Sequence, residues 1–195
     1  MHALEAPQIS LKIYLAEGSE LNLDAIIPVL HGWISDRLLD ETVIDVADYR
    51  HLKNGPALLL AGLDANYYLD NTDGAFGMMY TRKRGGPADF TSRLRDAFQR
   101  VLRACELLEA EQSLKPSPQF QVRQIRLQIN NRLLAPNDEM TYALIVPEVD
   151  EVLAELFPDS TMNISYHKNP RELFEVFLVA EDGPEESVKS LMGRL

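Results

Sequence analysis

Two stretches of this 195-residue chain run through the same order of strand, helix, strand, tight turn, strand and helix. That order limits the fold more than any single motif does. In the first series Ile9, Leu11, Ile13 and Leu15 alternate with Ser10, Lys12 and Tyr14, the two-residue period of a half-buried strand. A helix over about 23–39 follows, with Asn22 or Asp24 as its cap and Pro28 near its first turn, where a missing N–H does little harm. Ile27, Leu30, Ile34 and Leu38 line one face of it, beside Trp33. Strand 43–49, an Asn54-Gly55-Pro56 turn, an apolar strand 57–63 and a helix over 88–112 complete the series. The second series is strand 120–130, helix 138–157 interrupted at Pro147, strand 161–167, an Asn169-Pro170 turn, strand 173–180 and helix 185–195. Both second strands run into a Tyr and a His before their turn, Tyr49 with His51 and Tyr166 with His167.

Residues 66–82 read as a hairpin around Asn71-Thr72-Asp73-Gly74, inserted into the first series. The whole predicts an α+β fold, a mainly antiparallel sheet with helices packed on one face. It also suggests two β-α-β-β-α pseudo-repeats, 8–112 (with the 66–82 insertion) and 119–195, within a single domain 1–195. Two such units merge into one curved sheet about a pseudo-twofold and leave the other face open to a partner or a ligand. The long helix carries the plainest apolar stripe: Phe90, Leu94, Ala97, Phe98, Val101, Cys105 and Leu108. The Lys115-Pro116-Ser117-Pro118 segment is the best internal linker.

Apolar residues at 46% and charged residues at 25% are the mix of a folded globular chain. A net charge of −11 argues against general nucleic-acid binding, which rests on neutralising phosphates. The charge is uneven: residues 1–60 hold 4 basic and 9 acidic side chains, residues 61–136 hold 11 and 8, and residues 137–195 hold 4 and 13. A basic middle between acidic ends suggests segments that attract one another, within a chain or between subunits. The single Cys105 rules out an internal disulfide. Met1–Pro7 has no signal-peptide pattern, and apolar runs such as 57–61 are far too short to span a membrane. A cytoplasmic location without membrane contact is expected.

The densest polar cluster is Asp45, Asp48, Tyr49 and His51. On a strand Asp45 and Tyr49 share one face and Asp48 takes the other. Carboxylates, a phenol and an imidazole close together suit a divalent metal or acid–base work, and Asp48 and His51 equally suit hydrogen bonding at a strand-to-turn junction. Asn130, Asn131 and Arg132, before a helix that Asn137 or Asp138 caps, are a candidate anion-binding segment. His31 reads as a structural histidine, because no second helical ligand accompanies it. No nucleophile elbow, P-loop or dinucleotide fingerprint is present, and Asp70–Gly74 lacks the calcium-loop register, so it reads as a turn. Arg93, Arg100 and Arg103, with Asp96 and Glu111, read as a solvated, salt-bridged helix face.

Several stretches resemble a bacterial protein family without an assigned activity: Ile27-Pro-Val-Leu-His-Gly-Trp-Ile34, Ile44-Asp-Val-Ala-Asp-Tyr49 with His51 and Gly55-Pro56, Leu69-Asp-Asn71, Tyr80-Thr-Arg-Lys83 and Asn131-Arg-Leu-Leu-Ala-Pro-Asn137. The resemblance covers most of residues 27–137 and implies no catalytic residue and no cofactor. Members of that family often have His-Glu near the end of the third strand, where this chain has Leu63-Asp64. The leading expectation is a non-enzymatic binding or assembly module that forms a homo-oligomer, a homodimer first of all. A metal-assisted hydrolase using Asp45, Asp48 and His51, with Arg132 gripping a small anionic substrate, is the alternative. An accessory subunit whose open sheet face covers another protein is the third.

Overall fold

The alternation at 9–15 sets the middle of the molecule. In a computed structural model that describes residues 3–5, 8–52 and 55–195, β1 (Ile9–Leu15) lies between β5 (Gly77–Arg82) and β6 (Phe120–Ile129), antiparallel to both. Beyond β5 come β4 (Ala65–Asp70), β3 (Leu58–Gly62) and β2 (Val43–Asp48); beyond β6 come β8 (Phe174–Ala180) and β7 (Met162–Tyr166). The sheet among the described residues therefore has eight strands in the order β2-β3-β4-β5-β1-β6-β8-β7, each antiparallel to its neighbours. Asn54 of the 54–56 turn lies outside the described residues.

The helices α1 (Leu23–Asp36), α2 (Phe90–Glu109), α3 (Glu139–Leu156) and α4 (Val188–Met192) cover one face. This is the antiparallel α+β arrangement the sequence pattern predicts. Register aligns the covered side chains in rows that cross the sheet. One row runs through Leu58, Leu69, Met78, Ile13, Ile125 and Leu178, every one of them buried. All seven residues of the α2 stripe pack above the sheet in the core, Cys105 among them, where burial pushes its thiol well up and leaves it unreactive.

Three expectations change in detail. Helix α1 ends at Asp36, because Arg37 takes a left-handed conformation (φ 53°), and its buried face is Ile26, Val29, Leu30 and Trp33. Two apolar stripes overlap in that helix, and burying Trp33, the larger side chain, selects the one that leaves Ile27 and Ile34 only partly covered and Leu38 exposed. Helix α3 continues through Pro147 instead of breaking there. Pro147 and Ala143, whose carbonyl loses its helical partner, are both exposed, so the unpaired carbonyl faces solvent and costs little. The basic middle, finally, is spent inside the chain. Arg93 is only 4% exposed and donates to the carbonyls of Leu4, Pro87 and Ala88, so it is no part of a solvated face. Arg95 grips Glu151 and Glu155, and Arg100 meets Asp40, Glu41 and Asp96.

Among the described residues no helix is long and apolar enough to cross a membrane. Phe98→Ala, at a fully buried position, should lower unfolding free energy by about 3–5 kcal/mol in urea denaturation. Leu133→Ala, at a position 96% exposed, should stay within about 0.5 kcal/mol.

Candidate functional site

The uncovered face carries every second residue of the strands. One row crosses all of them in register: Ala47, Leu59, Tyr68 and Met79 on β2 to β5, Lys12 at the centre, then Arg126, Phe177 and Ser165. Most of this row is partly exposed, yet Lys12 is wholly buried. Its cover is the β4–β5 connection, which reaches over β1 as far as β6. Gly77 makes the approach possible, because a Cβ there would sit 2.5 Å from the Ile13 carbonyl and 2.9 Å from Lys12 Cε.

An ammonium has three hydrogens to donate. Lys12 gives all three, to Asp70 Oδ2 at 2.7 Å, Asp73 Oδ1 at 2.6 Å and the Ala75 carbonyl at 2.7 Å. The other Asp73 oxygen accepts from the Tyr14 hydroxyl at 2.8 Å and Arg126 Nη1 at 2.9 Å. Thr72 Oγ1 donates to Asp70 at 2.9 Å, and Arg126 Nε stands 3.8 Å from Glu175. Burial works to raise the Asp73 carboxyl, but hydrogen bonds from Lys12 and Tyr14 and the charges of Lys12 and Arg126 outweigh it and hold Asp73 below the usual carboxylate range. Burial, then the bond to Asp73 and its charge, push the Tyr14 phenol far up, so it stays a donor. Glu175 is raised by burial against the pull of Arg126. With its donors spent, Lys12 is a fastener for the 71–76 loop and has nothing left with which to attack or coordinate.

Beside the fastened loop lies an open cleft of about 890 Å³. Its lining includes Tyr14, Asp73, Phe76, Gln121, Phe177 and Val179, together with the charged Glu17 and Arg123. Arg123 is anchored by a 2.9 Å bond to the Ala180 carbonyl. The size falls in the usual range for small-molecule sites, and the lining mixes aromatic walls with amide and hydroxyl groups.

The residues singled out from sequence lie elsewhere. Asp45, Asp48 and His51 are exposed on and just after β2, an edge strand. Asp48 pairs with Arg50, whose hydrogen bonds lower its carboxyl to about 2, and Arg50 continues to Asp24 of α1. Asp45 accepts from the N–H of Val46 at 2.8 Å. Tyr49 and His51 stand with ring centroids 6.3 Å apart. Asn130 donates to Ser10 Oγ at 2.8 Å, Asn131 accepts from the N–H groups of Leu133 and Leu134, and the exposed Arg132 donates to the Arg171 carbonyl at 3.1 Å. Asp138, not Asn137, caps α3. Five strand positions separate β2 from β6 in the sheet, about 24 Å at 4.8 Å per strand, so Arg132 and the Asp45–His51 cluster do not meet over one substrate. Among the described residues no group of three or more His, Cys, Asp and Glu side chains is placed to hold a metal ion.

Sequence reading missed Lys12, Tyr14, Asp70, Asp73, Arg126 and Glu175. The available signal was Lys12 and Arg126 in the middle of otherwise apolar-alternating strands, with two carboxylates bracketing a turn. Neither protein-family models nor curated proteins match this chain.

Lys12→Met strands Asp70 as a buried charge and should lower stability by about 3–5 kcal/mol, with partial recovery in the Lys12→Met/Asp70→Leu double variant, both read by urea denaturation. Acid acts on the same loop. Because Asp73 has a lowered pKa in the folded chain, its stabilisation is complete above an unfolded value of about 3.9 and is lost as pH falls through the folded one. Glu175, raised, opposes folding as pH rises through its unfolded value of about 4.3. Asp73→Asn should therefore flatten the acid limb of a Tm-against-pH profile, and Glu175→Gln should raise Tm at neutral pH.

Proposed function

We propose that this protein is a non-catalytic binding module that seats a small organic ligand in the cleft on the open face of its sheet. The observation that carries the reading is the cleft itself, about 890 Å³ beside a loop pinned by a closed charge network. Such a wall is preorganised, so a ligand entering it spends little free energy on ordering the loop. Of the titratable groups lining the cleft, Asp73 already accepts hydrogen bonds from both Tyr14 and Arg126. That favours recognition over proton transfer. The aromatic walls Phe76 and Phe177 suit a flat or apolar body, and Gln121 and Gln124 suit a polar end.

The pseudo-duplication belongs to the same reading. The central β1–β6 pair, with β3-β2 on one outer side and β8-β7 on the other, supports two halves related about that pair, the β4–β5 hairpin being the insertion.

Native mass spectrometry of gently purified protein, followed by thermal-shift screening of small metabolites, tests the assignment. A retained small molecule, or a compound that raises Tm by several degrees, should lose its effect in Val179→Trp, which fills the cleft from an exposed position. A chain that carries no added mass and responds to no compound, or a Tm response that Val179→Trp leaves intact, would overturn it.

A further inference from the structure

On the reading that the cleft seats a small molecule, we infer that this molecule is an organic monocarboxylate with a flat or apolar body, its acid group held by Arg123, Gln121 and Ser19. All three side chains line the cleft. What separates them from their polar neighbours is that each still has hydrogen to donate.

A carboxylate has room for about four hydrogen bonds on its two oxygens. Asp73 fills them all. Its Oδ1 accepts from Lys12 Nζ at 2.6 Å and the Ala75 N–H at 3.3 Å, and its Oδ2 from the Tyr14 hydroxyl at 2.8 Å and Arg126 Nη1 at 2.9 Å. The Tyr14 proton is spent in the same place. Gln121 Oε1 accepts from the Gln124 N–H at 2.9 Å. A backbone N–H can bond only the oxygen of that amide, so the NH2 end is the one left to a ligand. Ser19 Oγ accepts from the Gln119 N–H at 2.8 Å, which leaves the hydroxyl proton to give.

Arg123 is the cation of the lining. Its guanidinium donates to the carbonyls of Ala180 at 2.9 Å, Asp182 at 3.4 Å and Gly183 at 3.5 Å, and among the described residues it makes no ion pair. Three bonds from five N–H donors leave two. Asp182 feels the charge, yet its two oxygens are taken by the Thr161 N–H at 2.6 Å and the Thr161 hydroxyl at 3.0 Å. Arg126, by contrast, meets Asp73 at 2.9 Å and Glu175 at 3.8 Å. Carbonyls orient a guanidinium without neutralising it, so Arg123 is a positioned cation whose counter-charge is still to come.

Donors without acceptors call for an acceptor-rich group, and a carboxylate is acceptor-only and charged. Glu17, exposed on the turn after β1, and the net charge of −11 limit that group to one negative charge. Arg123 meets the first charge. A dianionic phosphate would bring a second with no cation in the lining to meet it. Phe76 and Phe177 supply flat surfaces for the rest of the ligand.

Isothermal titration calorimetry of the full chain with benzoate, 3-phenylpropanoate and indole-3-acetate, each beside its primary amide, and with phenyl phosphate decides the question. At least one acid should bind about tenfold more tightly than its amide, because charge-assisted hydrogen bonds are the stronger ones. Arg123→Gln should bring acid and amide to within about twofold by weakening the acid alone, and Arg123→Lys should restore part of the preference. Gln121→Leu, which should weaken the acid several-fold, serves where Arg123→Gln folds poorly. Acids that fail to bind, acids and amides that bind alike, a preference that survives both Arg123→Gln and Gln121→Leu, or tighter binding of phenyl phosphate would each overturn the inference. Val179→Trp tells its failure from failure of the cleft reading. A neutral compound that binds the wild type and not this variant keeps the cleft and removes the carboxylate, whereas acid binding that Val179→Trp leaves intact removes both.

Discussion

An ammonium group taken wholly out of water has to be met on every side by acceptors, and at least one of them must be charged. Lys12 imposes that demand at the centre of the sheet, on the face without helices. The β4–β5 connection meets it by folding back so that Asp70, Asp73 and the Ala75 carbonyl converge on one nitrogen. Much of the uncovered face follows from this. The loop defines one wall of the cleft, Asp73 holds Tyr14 and Arg126 in place, and Gly77 has to lack a side chain for the lysine stem to pass.

A second polar knot works in a similar way on the covered side. Glu41, in the connection between α1 and β2, accepts from the Tyr67 hydroxyl at 2.6 Å and the Tyr80 hydroxyl at 3.1 Å, and Arg100 of α2 stands 3.3 Å from it. Burial and then the charge of Glu41 push both phenols far up, so they remain donors. The two knots tie the same hairpin from opposite faces. Tyr67 and Tyr80 belong to β4 and β5, and so do Asp70 and the Gly77 that admits Lys12. The β4–β5 hairpin is thereby held between β3 and β1 from both faces, in addition to its strand pairing.

The architecture was largely legible because it depends on periodicity, which a single sequence displays. Alternation marked the strands, the Phe90–Leu108 stripe marked α2, and Asn71–Gly74 marked the hairpin turn. Where two patterns overlapped, as Ile26-Ile27 and Trp33-Ile34 do in α1, packing chose between them. The polar groups were much less legible. Asp45, Asp48 and His51 stand out in sequence because they are close neighbours along the chain, yet proximity along a strand sends side chains to alternate faces. Lys12, Asp70 and Arg126 are separated by more than fifty residues at each step and meet only through the register of β1 with its two neighbours.

The charge pattern is the case where the same sequence signal supported two physical outcomes. A basic middle flanked by acidic ends is satisfied equally by folding and by assembly. Here folding consumes it: Arg95 and Arg100 of α2 reach carboxylates before and after them in the chain, and Arg126 reaches the loop over the sheet. Once the arginines are spent in this way, the charge left on the surface is mainly acidic. Helices take one face of the sheet, a side chain occupies one backbone group on each edge strand, and paired charges sit at the middle of the open face. On that face the partly exposed Leu59, Tyr68 and Met79 lie side by side, and the aromatic-walled cleft at Phe76 and Phe177 opens on the same side.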